Sequence, residues 1–138
     1  MDTKYFKKIR IFDGGMGQEL LSKGLISKGT LWSASALIEK KFHKLVIDAH
    51  ISYINAGADI IVTNNFSARK IRFIQNKVLN KFKYANEQAG ILANKAREIS
   101  KQNILIAGSL PSQSDTYVED ERSSSEIQSD FEEQAKII

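Results

Sequence analysis

The stretch RIFDGGMGQELL, residues 10–21, runs from a short apolar segment through an aspartate and two adjacent glycines straight into a helical pattern. An aspartate closing a buried strand costs energy unless something uses it. Paired glycines give up chain entropy unless the backbone needs the room. Three readings follow: a tight turn with a helix-capping aspartate, a phosphate cradle, or a site for a small polar ligand. The phosphate reading fails on spacing. Gly14, Gly15 and Gly17 do not form G-x-G-x-x-G, and the lysine–hydroxyl pair of a P-loop is missing.

Two more apolar runs, DIIVT (59–63) and NILIAGS (103–109), match IRIF (9–12) in character. All three are rich in Ile and Val without clean alternation, which predicts parallel strands buried on both faces. Helical periodicity fills the gaps. Residues 35–57 place Leu37, Phe42, Leu45, Val46, Ala49, Tyr53 and Ile54 on one stripe, with Ser35 as N-cap, a break near Lys40–Lys41 and Gly57 just past the end. Residues 80–102 carry a second stripe, and a third helix starts near 123 with serine caps and early acids. Residues 111–122 read as a polar loop. This order of βα units predicts either a doubly wound sheet or a (β/α)8 barrel. Ile11, Ile61 and Ile106 are 50 and 45 residues apart, against about 30 per unit in an ordinary barrel. Three parallel strands cannot close a barrel, so the length predicts an N-terminal portion of one domain, spanning residues 1–138.

Composition narrows the function. No apolar run reaches the ~18 residues of a membrane span, and the N-terminus has no apolar signal core, which reads as a cytoplasmic protein. The chain has no cysteine, so disulfides, thiolate metal ligands and cysteine nucleophiles are excluded from it. The formal net charge of +4 hides an asymmetry: residues 1–110 carry 18 basic and 8 acidic side chains, residues 111–138 carry 2 and 8. The basic excess peaks at 68–83, with six basic residues and no acid. No nucleic-acid motif accompanies it, so it reads as a solvated face rather than a nucleic-acid surface. His43 and His50 lie two helical turns apart, too far to share one ion, and read as structural. The acidic run 117–126 does not match a calcium loop.

The strand ends carry the chemistry. In both architectures ligands bind at the C-terminal ends of the strands. Asp13 can hold a cation such as an amino group, and the Gly14–Gly15 backbone can meet an anion such as a carboxylate. Together they suit a free amino acid. Thr63 and Asn64 end the second run and Gly108 and Ser109 the third, while Trp32, between a polar loop and a helix, has two readings, a pocket wall or packing under the loop.

DGGMGQEL (13–20), LWSASALIE (31–39), HISYINAGADIIVTNNFSA (50–68) and AGSLP (107–111) together resemble the homocysteine S-methyltransferase family. The resemblance implies a (β/α)8 barrel, incomplete here at about three βα units, that binds homocysteine at its C-terminal mouth and transfers a methyl group to it, giving methionine. It implies substrate contacts at Asp13, Gly14, Gly15, Trp32, Thr63 and Asn64, whereas Asn65 and Ser67 depart from the family's commoner residues. It also implies zinc held by three cysteines from later strands, none of which this chain contains. The expectation is therefore a chain with half of a substrate site, without catalytic residues or metal ligands of its own, and inactive alone. The methyl donor stays open. The alternative is a binding or assembly module that pairs with a complementing chain or with itself.

Overall fold

The structure, a computed structural model, describes residues 3–114, 117 and 119–138. Its helices are α1 (Met16–Ser22), α2 (Ser35–Ile38), α3 (His43–Asn55), α4 (Lys70–Gln75), α5 (Phe82–Ser100) and α6 (Ser124–Ile137). Strands β1 (Ile60–Val62) and β2 (Leu105–Ala107) pair in parallel, with Ile61 opposite Ile106. Short 3-10 turns cover Thr3–Lys7, Gly29–Ala34, Lys40–Phe42 and Leu79–Lys81.

The first apolar run lies parallel to β1 on the side away from β2. It forms one isolated bridge, Phe12 to Ile60, rather than the expected strand over 9–12. Hydrogen bonds from Ile60 N to Ile11 O (3.1 Å) and from Asp13 N to Ile60 O (3.0 Å) hold it. Nor is it buried: Ile9 is 94% exposed, and Ile11 and Phe12 more than half exposed. It hydrogen-bonds along one edge, and among the described residues no layer covers its other side. The second and third runs form strands of three residues, shorter than the sequence predicted.

Helices α3 and α5 pack on each other, and α3 packs on β1. Alanines 49, 85, 89, 93 and 96 are buried, which lets the two backbones approach closely. Phe73 of α4 meets Phe82 of α5 edge-on at 5.8 Å. The 35–57 helix is divided, as its sequence suggested. Glu39 is extended (φ −112°, ψ 107°), and its carboxylate pairs with Lys28 at 2.6 Å and Lys41 at 3.2 Å. Gly57 (φ 102°) ends α3 with a bond from Ala58 N back to Tyr53 O, the wrap-around closure that favours glycine. Ser35 does not cap a helix by its side chain. It is fully buried, and its hydroxyl accepts from Lys28 N at 2.9 Å. Ser123 does cap α6, in a reciprocal box with Glu126.

The charge asymmetry is partly resolved by packing. Acidic α6 lies against the basic stretch, where Lys70 meets Glu133 at 2.6 Å and Asp130 at 3.6 Å. Arg122 joins the acidic loop to the helix through Asp120 (2.7 Å) and Asp130 (2.6 Å). Asp115, Thr116 and Val118 of that loop lie outside the described residues.

Candidate functional site

The C-terminal ends of the three parallel segments converge on a cavity of 340 Å³. Asp13, Gly14, Gly15, Trp32, Thr63 and Asn64, the six residues singled out from sequence, all line it. Met16, Gly17, Phe66 and Ser109 complete much of the wall. Gly108 is not in that wall; it packs against Ile138 beyond the end of β2.

Asp13 is half-buried, and burial raises its carboxyl above the ordinary carboxylate value, with the Val62 amide pulling the other way. That amide donates to Oδ2 at 2.9 Å, so one carboxylate oxygen ties the first segment to β1. The other accepts no hydrogen bond from another described residue. Gly14 lies against Tyr53 of α3, where a Cβ would stand 2.9 Å from the ring. A Cβ on Gly15 would meet nothing within 4 Å, so space does not demand that glycine.

Trp32 has φ 45° and ψ −122°, a backbone state that L-residues avoid. Its neighbours hold it there. Leu31, Ser33 and Ala34 are buried, and the Asn64 side-chain amide donates to Ser33 O at 3.1 Å. The indole lies across α1, where a Cβ on Gly17 would be 2.5 Å from Cζ2. Gly17 therefore makes room for the aromatic wall. Replacing it with alanine is expected to push the ring outward at a cost of roughly 1–3 kcal/mol. Trp32 is the sole tryptophan, so its fluorescence should shift to the red as the melting temperature falls; an unmoved spectrum would contradict the packing.

The Thr63 and Asn64 side chains act within the wall. The Thr63 hydroxyl donates to Asn65 Oδ1 at 2.6 Å and accepts from Ser109 N at 3.2 Å, which joins the end of β1 to the end of β2. Sequence reasoning named the residues at the strand ends but missed Tyr53, Gly17 and Phe66. A glycine two positions beyond the Gly14–Gly15 pair, inside a helical pattern, was the available signal for Gly17.

The sequence profile of the homocysteine S-methyltransferase family matches residues 10–138. The chain belongs to the homocysteine S-methyltransferase family. The Homocysteine S-methyltransferase of Escherichia coli K12 is 31% identical over 115 residues, covering 74% of this chain and 34% of that protein. Homocysteine S-methyltransferase 2 of Zea mays is 33% identical over 90 residues, covering 65% of this chain and 24% of that protein. The crystal structure of an Escherichia coli homocysteine methyltransferase in its metallated form superposes with a TM-score of 0.79 at 26% identity, covering 98% of this chain and 51% of that one. This family member thus spans about half of that structure and a smaller share of the other two relatives. Its mixed α/β arrangement resembles part of a homocysteine methyltransferase barrel.

The residues of this family member do not fit a zinc centre built on cysteine. The chain contains no cysteine. Among the described residues, no three His, Asp or Glu side chains come close enough to hold one ion. His43 is spent on Leu37 O at 3.0 Å, and His50 is fully buried in α3.

Proposed function

We propose that the 340 Å³ cavity is the amino-acid end of a homocysteine site, in a protein whose reaction is methyl transfer to homocysteine. The observation carrying this reading is the union, in one cavity, of a carboxylate, a glycine backbone and an aromatic wall. Homocysteine is a zwitterion with a short thiol arm. Asp13 takes its ammonium group, the backbone at Gly14–Gly15 lies against its carboxylate end, and Trp32 covers the stem. Thr63 and Asn64 shape the cavity by fixing β2 and the Trp32 segment. In the overall reaction the sulfur–methyl bond forms, the donor–methyl bond breaks and the thiol loses its proton. Asp13 is the one ionisable side chain among the described residues of the wall. Engaged by an ammonium group, it leaves no group there to activate a thiol.

The 138 residues are therefore expected to bind L-homocysteine and form no methionine. The check is an assay of the purified chain with L-homocysteine and either S-methylmethionine or betaine. Catalytic methionine formation would overturn this part of the reading.

A second reading, an assembly module without catalysis, draws on the exposed row Ile9, Ile11 and Phe12 beside β1. Light scattering separates the two. Mass rising with concentration favours assembly through that row, and a monomer at all concentrations removes it.

A further inference from the structure

Behind the cavity wall lies a chain of buried side-chain amides. Asn65 and Asn86 are fully buried, as is Gln134, and Gln113 is 2% exposed. Asn65 Nδ2 donates to Ser109 O at 2.9 Å and to Asn86 Oδ1 at 3.2 Å. Gln134 Nε2 donates to the same Asn86 oxygen at 3.0 Å, and Gln113 Nε2 donates to Gln134 Oε1 at 2.8 Å. Asn86 Nδ2 donates to Ala68 O (3.1 Å) and Phe82 O (3.0 Å). Both donors of Asn86 and both lone pairs of its oxygen are thus engaged, the full capacity of an asparagine amide.

We propose that Asn86 and Gln134 are positioning residues for the amino-acid site, setting Thr63 and Ser109 through Asn65. The inference rests on the reading of the cavity given above. Asn86 interrupts the buried stripe of α5 between Ala85 and Ala89, where an apolar side chain would pack without needing partners. Gln113 Oε1 has no hydrogen-bond partner among the described residues, whereas the amides of Asn65, Asn86 and Gln134 are all partnered. A partnered buried amide network gains little stability over an apolar core of the same volume, because water bonds the same groups in the unfolded chain. What it gains is geometry: a shift of any member leaves a buried donor or acceptor unmet, at a cost larger than the bond's net worth. The network ends at the cavity. Asn65 Oδ1 receives the Thr63 hydroxyl and, at 3.3 Å, the Ser109 amide, and both of those residues line the wall. At the other end, Gln134 is the one fully buried residue of α6, beside Ile137, which packs half-buried on the core, so that this network is one of the contacts that dock the helix. The position of α6 is thereby transmitted to the wall.

The test uses the full 138-residue chain and three variants: Asn86→Leu, Gln134→Met, and Asn94→Ala as a control for an exposed amide on α5. L-Homocysteine affinity is measured by titration calorimetry, and hydrogen exchange is followed at the Ser109 N–H. Asn86→Leu and Gln134→Met are expected to weaken binding about tenfold, the effect of one poorly met buried bond, and to speed Ser109 exchange by a similar factor. Asn94→Ala should change neither. A purely structural role would lower the melting temperature while leaving the affinity of the folded fraction intact. If Asn86→Leu does not fold, Gln134→Met decides, since it leaves the bonds between Asn65 and Asn86 in place. A wild-type chain that binds and variants that bind equally well overturn this inference alone. A wild-type chain that binds no L-homocysteine overturns the cavity reading and this inference with it.

Discussion

Replacing Asp13 with asparagine is expected to weaken L-homocysteine binding about 30-fold or more while leaving the fold intact. Truncating one partner of a desolvated charge pair typically costs roughly 2–5 kcal/mol, and the half-buried setting places this pair at the lower end of that range. The fold survives because an asparagine oxygen can still accept from Val62 N, the bond that ties the first segment to β1. What disappears is the negative charge opposite an ammonium group. The same argument fixes a pH dependence. Binding needs the carboxylate, and burial raises the Asp13 value above that of an ordinary aspartate. Affinity should therefore decline on acidification earlier than a solvent-exposed carboxylate would allow. In Asp13→Asn the residual binding should be flat across that range. Calorimetry at several pH values checks both, and undiminished affinity in the variant would remove Asp13 from the site.

His50→Leu is expected to abolish most of the acid sensitivity of stability between pH 6.5 and pH 4. His50 is fully buried, and neither ring nitrogen has a hydrogen-bond partner among the described residues. Burial disfavours the imidazolium and lowers its pKa from 6.5 to about 4. The folded chain therefore holds the ring neutral where the unfolded chain protonates it. Stability from this group is complete above pH 6.5 and is lost as pH falls towards 4, by about 3 kcal/mol in all. That is a large part of the ~5–15 kcal/mol that holds a typical domain together. Leucine has a similar volume and no proton to gain, so it also relieves two unmet nitrogens. Urea unfolding at pH 7 and pH 4.5 gives the comparison: a wide gap for the wild-type chain and a narrow one for the variant. Equal gaps would mean that His50 is solvated or partnered in solution.

The strand ends were legible because their chemistry is local. An aspartate before paired glycines, and a threonine–asparagine pair after Ile60–Val62, mark the ends of parallel segments, and parallel topology brings such ends together. The long helices were legible from their apolar stripes, down to a division expected near Lys40–Lys41 and found at Glu39. The first strand was not, since IRIF has the composition of a buried strand and composition does not report how many neighbours a strand has. Ser35 looked like a cap for its position, yet its hydroxyl is taken by the backbone of Lys28, seven residues away. The amide network was hidden for a related reason. Asn86 and Gln134 are ordinary helix residues until the fold brings α5 and α6 to the back of one wall. The signal available was a single asparagine in an otherwise apolar stripe. Tyr53 was read correctly as part of the α3 stripe, but its contact with Gly14 depends on how α3 lies over the first segment.

The most direct measurement is a two-dimensional amide NMR titration of the 138-residue chain with L-homocysteine. The predicted result is a saturable set of shifts confined to residues 12–17, 32–33, 62–64, 66 and 109, the wall of the 340 Å³ cavity, with the Trp32 indole N–H among them. Shifts gathered at the α3–α5 groove around Ile91 and Lys95, or no shifts at all, would contradict the assignment of this cavity to the amino acid.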